Sequence, residues 1–171
     1  MYDSIPVNIR ALQAGDGEGL AQTWLDAAKY YVGLNSELFQ MPEANGLVQW
    51  CEDWVVAQPS ENDFLRVAEY DHHVIGFISA TLHLPITDGH RQFVRDVNLT
   101  RLMIDALVVQ QAYWRHGVGR RLMDVAETWG KSRGALLALL DTYIDSPVSV
   151  SFYEQRMGYQ RRAVHFRKSL D

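Results

Sequence analysis

The sequence predicts an α+β fold, an α/β sandwich whose mixed sheet is mostly antiparallel with one parallel strand pair at its centre. Strand-like runs follow one another closely in the first half of the chain, which is typical of antiparallel pairing. The apolar run, helix and second apolar run between Leu102 and Thr142 instead require a parallel crossover. No repeat, linker or low-complexity tract interrupts the 171 residues, so we expect a single domain over residues 1–171.

The first elements are a short strand and two helices. Residues Val7 to Leu12 alternate in polarity as a strand does. Asp16 is placed to cap a helix from Glu18 to Val32, in which apolar residues recur at helical spacing. A second helix is predicted from Glu43 to Ala57, with its apolar residues on one side.

The remaining elements follow as strands and two further helices. Two strands flank the turn residues Asp71, His72 and His73, and a polar connection after them is long enough for a lid or a hairpin extension. The predicted ranges are strands Phe64–Tyr70, Val74–Leu84, Leu102–Val109 and Ala135–Thr142, helices Gly117–Arg133 and Ser146–Met157, the connection Pro85–Asn98, the loop Gln110–His116, and a closing strand or hairpin Tyr159–Leu170. The total is six to seven strands and about four helices.

Composition excludes several classes of protein. The net charge is −5 with no isolated basic block, so a nucleic-acid partner is not expected, whereas a cationic substrate would suit an acidic protein. No stretch approaches the ~20 apolar residues that span a bilayer, and the N-terminus has no signal-peptide pattern. Cys51 is the only cysteine, which favours a reducing compartment. We therefore expect a soluble cytoplasmic protein without a membrane partner.

A glycine pair marks a candidate anion site. Gly117 and Gly119 lie where a buried strand turns into a helix, so several backbone N–H groups and the helix dipole face one point. Tight packing alone would also explain the pair. A Walker loop is excluded because Arg120 and Arg121 replace its Lys-Ser/Thr. A dinucleotide fold is disfavoured by Leu122 and by the missing βαβ repeats, although Asp141 mimics its ribose-binding acid.

Two motifs in order resemble the GNAT superfamily of acyl-CoA-dependent N-acyltransferases. Residues 113–123, YWRHGVGRRLM, are similar to its Gln/Arg-x-x-Gly-x-Gly/Ala motif, and residues 152–159, FYEQRMGY, resemble its Phe-Tyr-x-x-x-Gly-Phe/Tyr segment. The likeness in element order covers nearly the whole chain. It implies acetyl-CoA as co-substrate and no metal. The cofactor-binding residues that it implies are Leu107, Val108, Val109, Trp114, Arg115, His116, Gly117, Val118, Gly119, Arg120, Arg121, Ser146, Phe152 and Arg156.

Two residues depart from the family pattern. Trp114 occupies the first motif position, where Gln or Arg is usual, and cannot supply the same polar contact to a pyrophosphate. Ser146 stands where Asn is often found, as a weaker hydrogen-bonding group. Backbone amides and Arg115 would then hold the anion.

The resemblance also implies two catalytic groups. Acetyl transfer needs a neutral amine, and an amine with a pKa of about 10.4 is mostly protonated at neutral pH. Asp105, two residues before Leu107 and so expected on the same strand face, matches an acid that acts as base or binds the acceptor; pairing with Arg101 is the structural alternative. Tyr153 matches the tyrosine that protonates the leaving sulfur, or is a core aromatic residue beside Phe152.

The acceptor pocket and the overall function complete the prediction. Trp24, Tyr30, Tyr31 and Phe39 lie where the family builds its acceptor pocket, although helix packing would also explain Trp24 and Tyr31. Cys51 is interpreted as a buried inert thiol, and the scattered histidines do not suggest a metal site. We expect an N-acetyltransferase that acts on a small-molecule amine such as an antibiotic or polyamine in a ternary complex, with a homodimer as a candidate assembly. The alternative is a non-catalytic acyl-CoA sensor.

Overall fold

The computed structural model describes residues 5–57 and 60–170. The chain divides into two compact units, one that ends at Asp141 and one that begins at Thr142. The first unit holds the sheet and three of the helices, and the second holds the remaining helix. The predictions of a single domain and of a homodimer stay predictions.

The described part of the chain forms a sheet of five strands in sequential order, β1 to β5. Neighbours pair antiparallel from β1 to β4, and β4 pairs parallel with β5. The strands are β1 Asn8–Arg10, β2 Asp63–Tyr70, β3 His73–His83, β4 Arg101–Val109 and β5 Leu137–Leu140. The mixed, mostly antiparallel sheet with one parallel pair is confirmed. Among the described residues, this pair lies at the β5 edge of the sheet and not at its centre, and the expected six to seven strands were too many.

Within the described residues, four helices accompany the sheet, as predicted. They are α1 Gly17–Leu34, α2 Leu47–Val56, α3 Val118–Ser132 and α4 Pro147–Ser151. The last one continues as a π-helical turn over Phe152–Arg156. Among the described residues no helix is long and apolar enough to cross a bilayer.

Helices cover both faces of the sheet in the first unit. On one face, Leu20 of α1 and Cys51 of α2 are fully buried in a cluster with Phe77 of β3. On the other face, α3 packs against β2, β3 and β4, and the Phe64 and Trp129 rings lie 5.0 Å apart. The core therefore consists of two apolar layers, one on each side of the sheet.

The start of α1 is not capped in the way the sequence suggested. The Asp16 carboxylate forms no capping bond and instead accepts hydrogen bonds from the Arg10 guanidinium at 2.7 and 2.8 Å. Glu52 of α2 takes over part of the capping, since its Oε1 accepts the Gly17 N–H at 2.7 Å. Asp16, with Glu69, raises the pKa of Arg10, because both carboxylates favour the charged guanidinium. The predicted cap by the Asp16 side chain is therefore replaced by a contact from Glu52, which is distant in sequence.

Turns connect the central strands. Asp71 and His72 both adopt positive φ in the β2–β3 hairpin, which confirms the predicted turn. The connection between β3 and β4 contains two 3₁₀ turns, Gly89–Arg91 and Arg95–Asn98, and the Ile86 N–H donates to the Val97 carbonyl. It is a folded loop in which no described residue extends the β3–β4 ladder.

The second unit confirms the predicted helix start but not the predicted closing strand. Ser146 accepts the Ser149 N–H at 3.3 Å and Pro147 follows it, as expected of an N-terminal cap. The segment Tyr159–Leu170 forms no strand, and Phe166 is 94% exposed. A strand needs a neighbour to pair with, and this segment has no ladder partner within the described chain.

Truncation of a core side chain in α3 tests this packing. We expect Leu122→Ala to lower the free energy of unfolding by about 2–5 kcal/mol, because Leu122 is fully buried and a cavity would remain. Val125→Ala, in the same helix but 37% exposed, should cost well under half as much. Urea unfolding of both variants measures the difference, and equal losses would contradict the described packing of α3.

Candidate active site

The part of β4 beyond its pairing with β5 forms an open main-chain edge. Pairing with β5 ends at Ile104, opposite Leu140, whereas β4 continues to Val109. The Gln110 N–H donates to the Ile75 carbonyl of β3 at 2.9 Å, so by strand alternation Val109 and Leu107 direct their main-chain groups away from β3. These two residues can therefore bind an extended ligand as an added strand.

The same alternation corrects the expectation for Val108. This residue lies opposite Phe77, and its main-chain N–H and C=O point towards β3. The Val108 side chain packs against the cluster of α1 and α2. Its main chain is therefore occupied in the ladder and is not offered to a ligand.

A loop with two left-handed residues follows this edge and leads into α3. Arg115 has φ +68° and Gly117, the N-cap of α3, has φ +81°. Gly117 meets this requirement without the strain that a Cβ would add. The first N–H groups of α3, from Val118 onward, have no acceptor inside the helix and carry the positive end of its dipole. This geometry suits an anion, as the sequence predicted.

The basic side chains at the start of α3 differ in whether they already pair with a carboxylate. Arg120 lies 3.8 Å from the Asp124 carboxylate, an exposed pair of the kind that water screens. Arg121 is half-buried and forms no ion pair with any residue in the described ranges. Arg121 is therefore the guanidinium of the α3 start whose charge is available to an anion.

Trp114 fixes this loop instead of contacting an anion directly. Its indole Nε1–H donates to the Val109 carbonyl at 2.6 Å, and its ring meets Tyr30 of α1 edge-on, with centroids 4.9 Å apart. Two neighbouring side-chain contacts hold the loop as well. Gln110 Nε2 donates to the Thr23 hydroxyl at 3.0 Å, and Asp26 accepts the Gln111 N–H at 2.6 Å. The departure from the family motif is thus a structural anchor between β4, the loop and α1.

Asp105 is the extra residue of a β-bulge. Ser79 lies opposite Ala106 and Ala80 opposite Ile104, so Asp105 has no partner in the ladder. Its Oδ2 accepts the Thr81 hydroxyl at 2.8 Å. Thr81 is on the same side of β3 as Phe77, which places Asp105 on the face covered by α1 and α2.

This bulge overturns two sequence-based expectations. Asp105 does not share a face with Leu107, because an extra residue shifts the alternation by one position. Nor does it pair with Arg101, whose Nε is buried without a hydrogen bond in the described structure. Asp105 remains an exposed carboxylate beside the open edge of β4.

The aromatic residues predicted for the acceptor pocket separate into two groups. Tyr31 contacts both Tyr30 and Phe39, with centroids 5.2 and 5.0 Å apart, and this group adjoins Trp114 through Tyr30. Trp24 instead packs on Phe77 and helps to line a groove of about 280 Å³ between α1 and the start of α2. Trp50, one of the apolar residues of the predicted second helix and not among the predicted pocket residues, forms the other wall of this groove.

The second unit carries the remaining predicted residues. The rings of Phe152 and Tyr153 lie 5.2 Å apart in the π-helical turn, and Tyr153 also contacts the Tyr159 ring at 6.0 Å. The Tyr159 N–H donates to the Tyr153 carbonyl at 2.9 Å. Ser146 caps α4, and Arg156 ends the turn. The unusual turn therefore holds Tyr153 within an aromatic group.

Other chemistry has little support in the described residues. Burial raises the pKa of the Cys51 thiol, and the neighbouring Glu52 adds to this effect, so the thiolate is disfavoured. No group of three His, Cys, Asp or Glu residues within the described ranges is arranged to hold a metal ion.

Comparison with known proteins decides the family. The profile of the acetyltransferase (GNAT) family matches residues 22–159, which include β4, the loop, α3 and the Tyr153 turn. The chain belongs to the GNAT acetyltransferase family. The expected resemblance and fold are therefore confirmed, and the chain is assigned to a family of acyltransferases. A search of curated protein sequences finds no match.

Solved structures of low identity share this GNAT fold. A transcriptional regulator from Bacillus halodurans C-125 is 21% identical with TM-score 0.71, covering 96% of this chain and 100% of the regulator. The aminoglycoside acetyltransferase meta-AAC0020, from an uncultured soil metagenomic sample and solved with sisomicin, is 16% identical with TM-score 0.63, covering 96% and 97%. AAC(6')-Iy, solved with the bisubstrate analogue CoA-S-monomethyl-acetylneamine, is 17% identical with TM-score 0.62, covering 96% and 99%.

The anchoring role of Trp114 can be tested by a matched pair of substitutions. Trp114→Phe removes the indole bond to Val109, and we expect it to lower the free energy of unfolding by about 1 kcal/mol more than Trp129→Phe does. Trp129 is also half-buried, but its indole N–H has no hydrogen bond to a described residue. Urea unfolding measures both variants, and losses of the same size would refute the anchor.

Proposed function

We propose that this GNAT protein is an acetyl-CoA-dependent N-acetyltransferase that transfers the acetyl group directly to a primary amine of a small molecule. The observation that carries the proposal is the continuity of the open β4 edge with the left-handed turn at Gly117 and the start of α3. One stretch of chain thus offers strand-like main-chain groups followed by an anion cradle, which matches a ligand that has an amide arm and a diphosphate.

The residues divide the binding of acetyl-CoA between them. Leu107 and the Val109 N–H hydrogen-bond the amide arm, whereas the Val109 carbonyl is already used by Trp114. The N–H groups at the first turn of α3, which begins at Val118, hold the diphosphate together with the Arg121 guanidinium. The co-substrate supplies an acetyl group activated as a thioester. The structure of AAC(6')-Iy with a CoA-containing analogue supports this use of the fold.

Two side chains transfer protons in the reaction, one as a base and one as an acid. An ammonium has no lone pair, so Asp105 first accepts a proton from it, directly or through water, and the neutral nitrogen then forms the new N–C bond. The C–S bond breaks in the same transfer, and Tyr153 donates a proton to the departing sulfur. The attacking nitrogen loses a second proton as the amide forms. This proton replaces the one that Tyr153 gives to the sulfur, and the proton on Asp105 passes to water. The role of Tyr153 rests on its place in the family motif.

A small amine is favoured as acceptor, and the cytoplasm as location. The net charge of −5 attracts cations, and the related fold of meta-AAC0020 was solved with sisomicin. The single cysteine is free and buried, which suits a reducing compartment.

An acyl-CoA sensor is the second candidate, because one structure of this fold is described as a transcriptional regulator. Calorimetry with acetyl-CoA, followed by measurement of thiol release with a library of amines, separates the two functions. We expect binding and amine-dependent thiol release. Binding without release on any amine would favour the sensor.

Substitution in the cradle tests the location of the diphosphate. We expect Gly119→Glu to abolish acetyl-CoA binding, because it adds bulk and negative charge at the first turn of α3. Gly33→Glu is the matched control, since a Cβ at Gly33 would meet no atom within 4 Å. Calorimetry should show normal binding for the control. Normal binding by Gly119→Glu as well would mean that the diphosphate lies elsewhere.

Removal of one hydroxyl tests the acid. We expect Tyr153→Phe to lower kcat at least about tenfold with acetyl-CoA affinity nearly unchanged, because only proton donation is lost. Tyr70→Phe, at the end of β2, should retain full activity. Thiol-release kinetics measure kcat and calorimetry measures the affinity for acetyl-CoA. An unchanged kcat would show that Tyr153 is not the acid.

A further inference from the structure

The groove between α1 and the start of α2 has the chemistry of an organic-cation site. Its walls are the indoles of Trp24 and Trp50, whose centroids lie 6.4 Å apart at an interplanar angle of 53°. Leu47 and Pro42 add apolar surface, and Glu43 is the one charged residue in its lining. Indole faces attract cations, and the effect grows as the cation loses water. Apolar walls with one carboxylate thus match an ammonium on a hydrocarbon body.

The chain around the groove is uniformly acidic. Residues 30–65 contain six carboxylates and no Lys, Arg or His. Three of these acids accept hydrogen bonds within the fold: Glu52 in capping α1, Asp53 from the Gln49 amide and Asp63 from the Ser60 N–H. Glu43 is exposed and has no hydrogen bond or ion pair to any residue in the described ranges. Its charge is therefore left for a ligand.

The nitrogen held in this groove cannot be the one that is acetylated. Indole faces favour the charged form of an amine but cannot accept its proton, whereas the attacking nitrogen must be neutral. The reacting amine belongs instead near Asp105, beside the open edge of β4. An acceptor that uses both places must carry two nitrogen centres.

Both places lie on the same face of the sheet. The Trp24 ring is 6.0 Å from Phe77, and Phe77 lies opposite Val108. From Val108 to Asp105 is three steps along β4, or about 10 Å at the rise of a strand. The two nitrogens of the acceptor are therefore separated by an extended linker.

We infer that the groove of Trp24, Trp50 and Glu43 binds an organic cation, and that the acceptor is an elongated diamine whose second, charged nitrogen occupies it. The assignment of this cation to the acceptor rests on the proposed function. The binding of a cation in the groove does not.

Binding is tested with benzyltrimethylammonium, which has no N–H and cannot be acetylated. We expect it to quench tryptophan fluorescence, and Trp50→Leu to weaken its binding at least about tenfold, while Glu43→Gln weakens it about threefold. Trp129→Phe and Glu61→Gln, outside the groove, should bind it as the native protein does. Thermal melting establishes that each variant is folded. The cation site would be overturned if the native protein did not bind the probe, or if Trp50→Leu and Glu43→Gln both bound it as tightly as the native protein does.

Turnover is tested with straight-chain α,ω-diamines of increasing length against monoamines of matched length. We expect kcat/KM to rise with length and to exceed that of the matched monoamine at least about tenfold, and Glu43→Gln to reduce this advantage. Equal turnover of monoamines would overturn the diamine assignment and leave the proposed function intact. Tryptophan-dependent cation binding without thiol release on any amine would support the groove and overturn its role in an acceptor.

Discussion

The organisation of the first unit depends on the unequal lengths of two parallel neighbours. β5 pairs with β4 only as far as Ile104, and the bulge at Asp105 follows at once. The bulge redirects one carboxylate towards the face of α1 and α2, and the strand beyond it keeps a free main-chain edge. Longer pairing with β5 would close this edge. The interruption of regular hydrogen bonding thus creates the place where a ligand can join the sheet.

Helix α1 contributes to the groove and also contacts the loop that precedes α3. Trp24 faces the groove, while Asp26 and Tyr30, one turn apart, contact the loop that leads into α3. The loop is held by hydrogen bonds to α1 and to β4, so its left-handed residues are fixed by packing as well as by glycine. A family position that is usually polar is here an aromatic residue, which serves the same loop by anchoring it.

Local sequence patterns predicted most of the elements, because spacing and turn chemistry report directly on helices, hairpins and the glycine turn. They failed where a distant partner decides the outcome. The bulge at Asp105 depends on the register with β3, which no pattern within β4 reveals. Asp16 pairs with Arg10 instead of capping α1, and the segment after Tyr159, predicted as a strand, has no ladder partner among the described residues. The motif predicted the glycine turn at the start of α3, but the groove wall at Trp50 follows only from tertiary packing.

The burial of Cys51 has a practical consequence for enzymology. This residue is the only thiol of the protein, it has no exposed surface, and its elevated pKa keeps it protonated. A colorimetric disulfide reagent added to the native protein would therefore react with small-molecule thiols in solution and leave the polypeptide unmodified. The native protein therefore adds little background signal to an assay of released thiol. A cysteine introduced on the surface would be the one reactive thiol and could carry a spectroscopic label.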